Sequence, residues 1–168
     1  MKVHMERGGD SGFFRRRVVQ PVLEQLRQGI TPERIAWSVA LGFVVGVVPV
    51  LGIATGLCAL AGWWLRLNQP VIQMVNYLAY PLQIALLLPF YRAGETLLGR
   101  DHLPLSLEAI TGRFREGFWV FLREFGGVLA GGVLVWLLVA PVAAFALYGV
   151  LRPVLRGVAG RIQNGGGR

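Results

Sequence analysis

Arginines and side-chain amides are the residues in this chain whose types and spacing could do chemistry. Arg66 is the one charge between two long apolar runs, 35–65 and 67–91. Asn68, Gln69, Gln73, Asn76 and Gln83 follow it, and Arg92 closes the second run. A guanidinium matches phosphate oxygens in pairs, and a carboxamide both donates and accepts. The chemistry on offer is recognition. Arg66, Asn68, Gln73, Asn76 and Arg92 are the candidate contacts for a cargo or a lipid headgroup. Catalysis lacks its parts. The apolar blocks 35–65, 67–91 and 125–151 hold no Asp, Glu, His or Lys. Acid–base and metal chemistry inside them therefore has nothing to use. Glu95, Asp101 and His102 lie in the connector beyond the second block and form no nucleophile with a partner. The expectation is a protein that is not an enzyme, with no catalytic residue, no metal site and no cofactor. Cys58 stands alone and reads as a small packing residue.

The elements that must position these groups are set by the three blocks. Charged residues make up 15% of the chain, against about 25% in an ordinary soluble domain. Each block exceeds the roughly 18 apolar residues that mark a candidate span. The expected fold is all-α: a polytopic integral-membrane protein with helices broken by proline and glycine, plus amphipathic interfacial helices. The organisation reads as a basic N-terminal segment 1–34, a single membrane domain 35–151 and a basic flexible tail 152–168.

Thr31-Pro32-Glu33 begins a helix, with a capping residue, proline at the first position and an acid at the positive end. One straight helix over 35–65 would be about 46 Å long, against a hydrocarbon core of about 30 Å. Pro49 and Gly52 supply a break. The two halves then make a hairpin that enters and returns, and one kinked, tilted helix is the alternative. Gly42 with Gly46, and Gly52 with Gly56, form faces for close helix approach. In the second block Pro70 opens a helix and Pro81 interrupts it. Its amides are costly in hydrocarbon unless paired, so this segment faces protein or a cavity. Paired broken helices are how transporters present backbone groups to cargo.

In the connector 92–124, Leu107, Ile110, Phe114, Phe118 and Phe121 continue to Phe125 at spacings of three and four. That is the apolar face of a helix lying on the membrane or covering the bundle. Phe13 and Phe14 beside Arg15–Arg17 suit the headgroup layer equally well, or a solvated basic tail. Net charge is +8. It sits at the N-terminal segment and the tail, which places both termini on the cytoplasmic side. Anionic lipid headgroups are the expected partners, and nucleic acid is not. Even parity follows from a first-block hairpin, one second-block crossing and one third-block crossing.

Four stretches occur in order: Gly46-Val47-Val48-Pro49-Val50-Leu51-Gly52, Leu65-Arg66-Leu67-Asn68-Gln69-Pro70, Tyr80-Pro81-Leu82-Gln83 and Tyr91-Arg92-Ala93-Gly94. Together they resemble a family of small prokaryotic integral-membrane proteins, domain of unknown function 2062. At the third stretch the family's pattern is asparagine-proline-leucine-threonine, and this chain departs from it at Tyr80 and Gln83. The resemblance implies the bacterial inner membrane and carries no activity. Some relatives are joined to glycosyltransferase domains, which implies envelope chemistry. The expected function is transporter-like, handling a phosphate-bearing lipid or a small solute. The alternative is a non-catalytic scaffold or accessory subunit of an envelope-biogenesis complex. A homo-oligomer or an envelope enzyme is the expected protein partner.

Overall fold

The chain enters its first helix where Thr31 is still extended and Pro32 takes the opening helical position. Thr31 stands at the cap but makes no side-chain cap hydrogen bond. The structure, a computed structural model, describes residues 30–99 and 117–165, with Glu24 and Arg115. Side chains at 118, 120–124 and 162–165 lie outside that description. The aromatic–arginine stretch Phe13–Arg17 and most of the stripe Leu107–Phe121 also lie outside it. Among the described residues every regular element is helical. The helices are α1 (Pro32–Gly46), α2 (Ala54–Trp64), α3 (Gln69–Leu97) and α4 (Phe118–Gly165).

α1 stops at the expected place. Val48 to Ile53 form a bend and turn, with Gly52 at φ +89°, a value that suits glycine alone. α2 then runs back. The Asn68 backbone N–H donates to Ser38 Oγ at 2.9 Å, so the end of this excursion lies beside the start of α1. The first block is a helical hairpin rather than one kinked helix.

α3 lies parallel to α1 and antiparallel to α2. Its start pairs with Ser38, Ile72 and Val75 face Gly42, and Asn76 and Ala79 face Gly46. Against α2 the order reverses: Gln69 reaches Ala59, and Gln73 reaches Thr55. The Gly42 and Gly46 face is a true close approach, since a Cβ on Gly42 would sit 2.7 Å from the Ile72 carbonyl oxygen. Gly52 and Gly56 form no such face. Gly52 is in the turn and Gly56 has nothing within 4 Å.

Pro81 does not break α3. The helix continues through Pro81 and Pro89 for 29 residues, about 43 Å. Proline's φ is a helical value, so each proline removes one backbone donor without ending the element. The turns beside Pro81 are held from outside, by Ala79 on Gly46 and Gln83 on the hairpin bend. Pro70 opens the helix, as its position after Asn68 requires.

Arg92 and Glu95 belong to α3 and not to a connector. Arg92 donates to Glu95 at 2.9 Å, and the Glu95 carboxylate is fully buried. α4 begins ahead of Phe125 and passes through Pro141, Pro153 and Arg152, Arg156 and Arg161 to Gly165. The segment read as a flexible tail is therefore helical through most of its length.

α4 runs antiparallel to α1 and α3. Gly131 and Gly132 cross at Gly94, Trp136 donates to the Val44 carbonyl at 2.9 Å, and Trp37 stacks on Tyr148. At the far end Arg156 closes on Glu33 at 2.6 Å. Ile35, Val71 and Val75 form a buried core cluster, with Leu155 packed against it. α3 and the stretch Phe125–Arg161 of α4 are each long and apolar enough to cross a membrane. Only 33% and 22% of their most apolar windows are buried, so their apolar surfaces mostly face outward.

Candidate functional site

The amides of α3 converge on the hairpin. Asn68 accepts from the Val71 N–H at 3.1 Å and caps α3. Gln69 donates to the Ala59 carbonyl at 2.8 Å, and Gln73 to the Thr55 carbonyl at 3.1 Å. Asn76 donates to Thr55 Oγ1 at 3.2 Å. Gln83 donates to the Val48 carbonyl at 2.8 Å and the Val50 carbonyl at 3.4 Å. Gln69, Gln73, Asn76, Tyr80 and Gln83 recur at four, three, four and three residues. That spacing makes one helical face.

The bend between α1 and α2 frees backbone carbonyls, and four of those around it accept from side chains. Gln83 takes Val48 and Val50, Tyr91 Oη donates to the Pro49 carbonyl at 2.8 Å, and Trp136 covers the Val44 carbonyl. A buried carbonyl left without a partner would cost about 1–3 kcal/mol. Tyr91 also packs on Gly132, where any Cβ would strike its ring.

Between the bend, the start of α2 and α3 lies a cavity of about 260 Å³. Gly52, Ala54, Thr55, Asn76, Tyr77, Tyr80 and Gln83 line it. Its polar groups are all uncharged. Asn76 and Gln83 are 4% and 2% exposed, so their amides belong to the interior. One turn from Asn76, the buried Gln73 Oε1 has no hydrogen-bond partner. Gln83 is the midpoint of α3, so the cavity sits about half-way along the helix.

The sequence-read candidates divide. Asn76 lines this cavity and Gln73 neighbours it. Asn68 is occupied as a cap. Arg66 is at the opposite end of α2, and Arg92 lies one third of α3 beyond Gln83, paired with Glu95. Thr55, Tyr80 and Gln83 were absent from the candidate set. The 4-3-4-3 spacing from Gln69 is the signal that finds two of them. Thr55 has no such signal, because its place depends on how α2 folds back. Tyr80 and Gln83, where the third motif departs from its pattern, both stand on the cavity wall.

Arg66 closes α2 in an unusual way. Its N–H bonds the Trp63 carbonyl and the Leu67 N–H bonds the Gly62 carbonyl. This is the paired C-terminal turn that normally places glycine in the left-handed position. Here Arg66 holds that position at φ 51°. At the same end of the bundle, Glu33 is held below the usual carboxylate range. A backbone N–H at the helix start is the main cause, followed by Arg156. Among the described residues no three His, Cys, Asp or Glu side chains converge.

The family described as "Uncharacterized protein conserved in bacteria (DUF2062)" matches residues 15–163, and the chain belongs to it. No curated protein and no solved structure matches the chain.

Proposed function

We propose that this DUF2062 protein is a small polytopic protein of the bacterial inner membrane, transporter-like, that receives a small uncharged polar solute at the tip of a re-entrant hairpin. The observation that carries this reading is the polar cavity at the bend, level with the middle of α3. α1 is about 22 Å long and α2 about 16 Å, both short of a hydrocarbon core of about 30 Å. A hairpin of that size enters and returns, while α3 and α4 cross. Broken backbone at membrane depth is tolerated where it lines protein or a cavity. The start of α1 and the end of α4 then lie on the side of Arg66, and the positive charge of the flanking segments makes that side cytoplasmic.

The chemistry of the wall selects the cargo class. Two amides, one threonine and two tyrosines offer donors and acceptors without charge. No cation lines the cavity, so a phosphate has no counter-ion there. A volume of about 260 Å³ favours a solute of a few heavy atoms. The test is permeation in proteoliposomes with urea, glycerol, erythritol and inorganic phosphate. Faster entry of at least one uncharged solute than in protein-free vesicles, lost in Asn76→Leu, is the expected result. No acceleration for any of the three, or acceleration unchanged in Asn76→Leu, sinks the reading.

A scaffold role is favoured by a separate observation. Gly149, Gly157 and Gly160 on α4 have nothing within 4 Å in the single chain. Small residues left open in this way admit a neighbouring helix, from a second copy or an envelope enzyme.

A further inference from the structure

A second cavity, of about 450 Å³, opens at the Arg66 end of the bundle. Its walls are Trp37 and Leu41 of α1, Leu65 and Leu67 after α2, and Pro141 and Phe145 of α4. They are apolar, unlike those at the bend. Arg66 stands between two of these wall residues. Its side chain has no partner among the described residues, and its backbone is held in the left-handed region at φ 51°. On the other flank Trp37 stacks on Tyr148 with centroids 4.3 Å apart, and Arg152 lies 6.0 Å from the Tyr148 ring. Arg152 Nε is buried without a hydrogen bond, and lies 3.8 Å from Glu33. That one carboxylate is already taken by Arg156 at 2.6 Å. An apolar groove is thus flanked by Arg66, which pairs with no carboxylate among the described residues, and by Arg152, whose Glu33 is shared with Arg156.

We infer that this groove holds one acyl chain of an anionic phospholipid, with its phosphate between Arg66 and Arg152. Charge decides the occupant. A lipid without phosphate or an apolar peptide would use the walls and leave both guanidinium groups unanswered, and a zwitterionic headgroup offsets its own phosphate charge with a cation. Phosphate oxygens match them, and anionic lipids are abundant at a cytoplasmic leaflet. The strained backbone points the same way. Glycine would close this turn without strain, so arginine at Arg66 is held there against a local cost. The inference rests on the membrane placement proposed above and not on the solute cavity.

Native mass spectrometry of the full chain in a non-ionic detergent tests it, with added dioleoyl phosphatidylglycerol or dioleoyl phosphatidylcholine. The parent should carry one phosphatidylglycerol per chain, favoured over phosphatidylcholine by about fivefold or more, since each arginine near a headgroup contributes about 1 kcal/mol. Arg66→Gly should lose most of that preference while unfolding at the same or a higher temperature, because it relieves the backbone. Arg66→Lys should keep more of it. Ala144→Phe, which fills the groove from α4, should abolish the single-lipid adduct. Equal binding of the two lipids by the parent overturns the inference. So does a preference unchanged in Arg66→Gly, or an adduct that persists in Ala144→Phe. Urea and glycerol permeation is read separately, so failure here leaves the solute reading standing, and failure there leaves this one.

Discussion

At the scale of single residues, this molecule answers exposed backbone with amides and hydroxyls. Gln83 is the main example. It is 2% exposed and reaches two carbonyls of the bend. Gln83→Leu keeps the bulk and removes the donor. The expected loss is about 1–2 kcal/mol, since the Val50 carbonyl loses its side-chain donor while the Val48 carbonyl keeps the Val50 N–H. Tyr91→Phe leaves only the Pro49 carbonyl unanswered and should cost about 1 kcal/mol. Thermal unfolding in detergent measures both. Equal stability of Gln83→Leu and the parent would show that the bend does not depend on this contact. The amides were legible in the sequence as costly groups that needed partners. Their partners were not, because each lies on a segment that reaches α3 only after the chain turns back. Gln83 and Val48 are 35 positions apart.

The helices themselves were read well where local chemistry decides and poorly where packing does. Thr31-Pro32, Asn68-Gln69-Pro70 and Pro49 with Gly52 mark helix starts and a break through backbone geometry alone. Pro81 carries the same local signal and gives the opposite outcome, because neighbouring elements brace the turns on either side. Glycine behaves likewise. Gly42 and Gly56 are equivalent by pattern, yet one is pressed against Ile72 and the other is open. Gly42→Ala should therefore destabilise by about 1–3 kcal/mol through overpacking. Gly56→Ala should be neutral, or stabilising by up to about 1 kcal/mol from helix propensity. Paired melting curves check this. Similar effects of the two substitutions would contradict the α1–α3 contact.

Taken whole, the protein is a short hairpin leaning on two long helices. The hairpin's bend meets α3 at mid-length, and its open end shares a level with Glu33, Arg66 and Arg156. The three apolar blocks and the Pro49–Gly52 break carried that plan in the sequence. The expectation that the first block turns back came from its length against bilayer thickness, a global constraint. The groove beside Arg66 was not legible at all, since its walls come from three separated segments.

The central claim is that the hairpin returns to the side it entered from, and side-specific cysteine labelling tests it most directly. In a Cys58→Ala background, single cysteines replace Arg66, Leu98 or Arg161, and a membrane-impermeant maleimide is applied to intact spheroplasts and to inverted vesicles. The account predicts that positions 66 and 161 label only in inverted vesicles and position 98 only in spheroplasts. Labelling of position 66 in spheroplasts, opposite to position 161, would contradict it and make the first block a crossing.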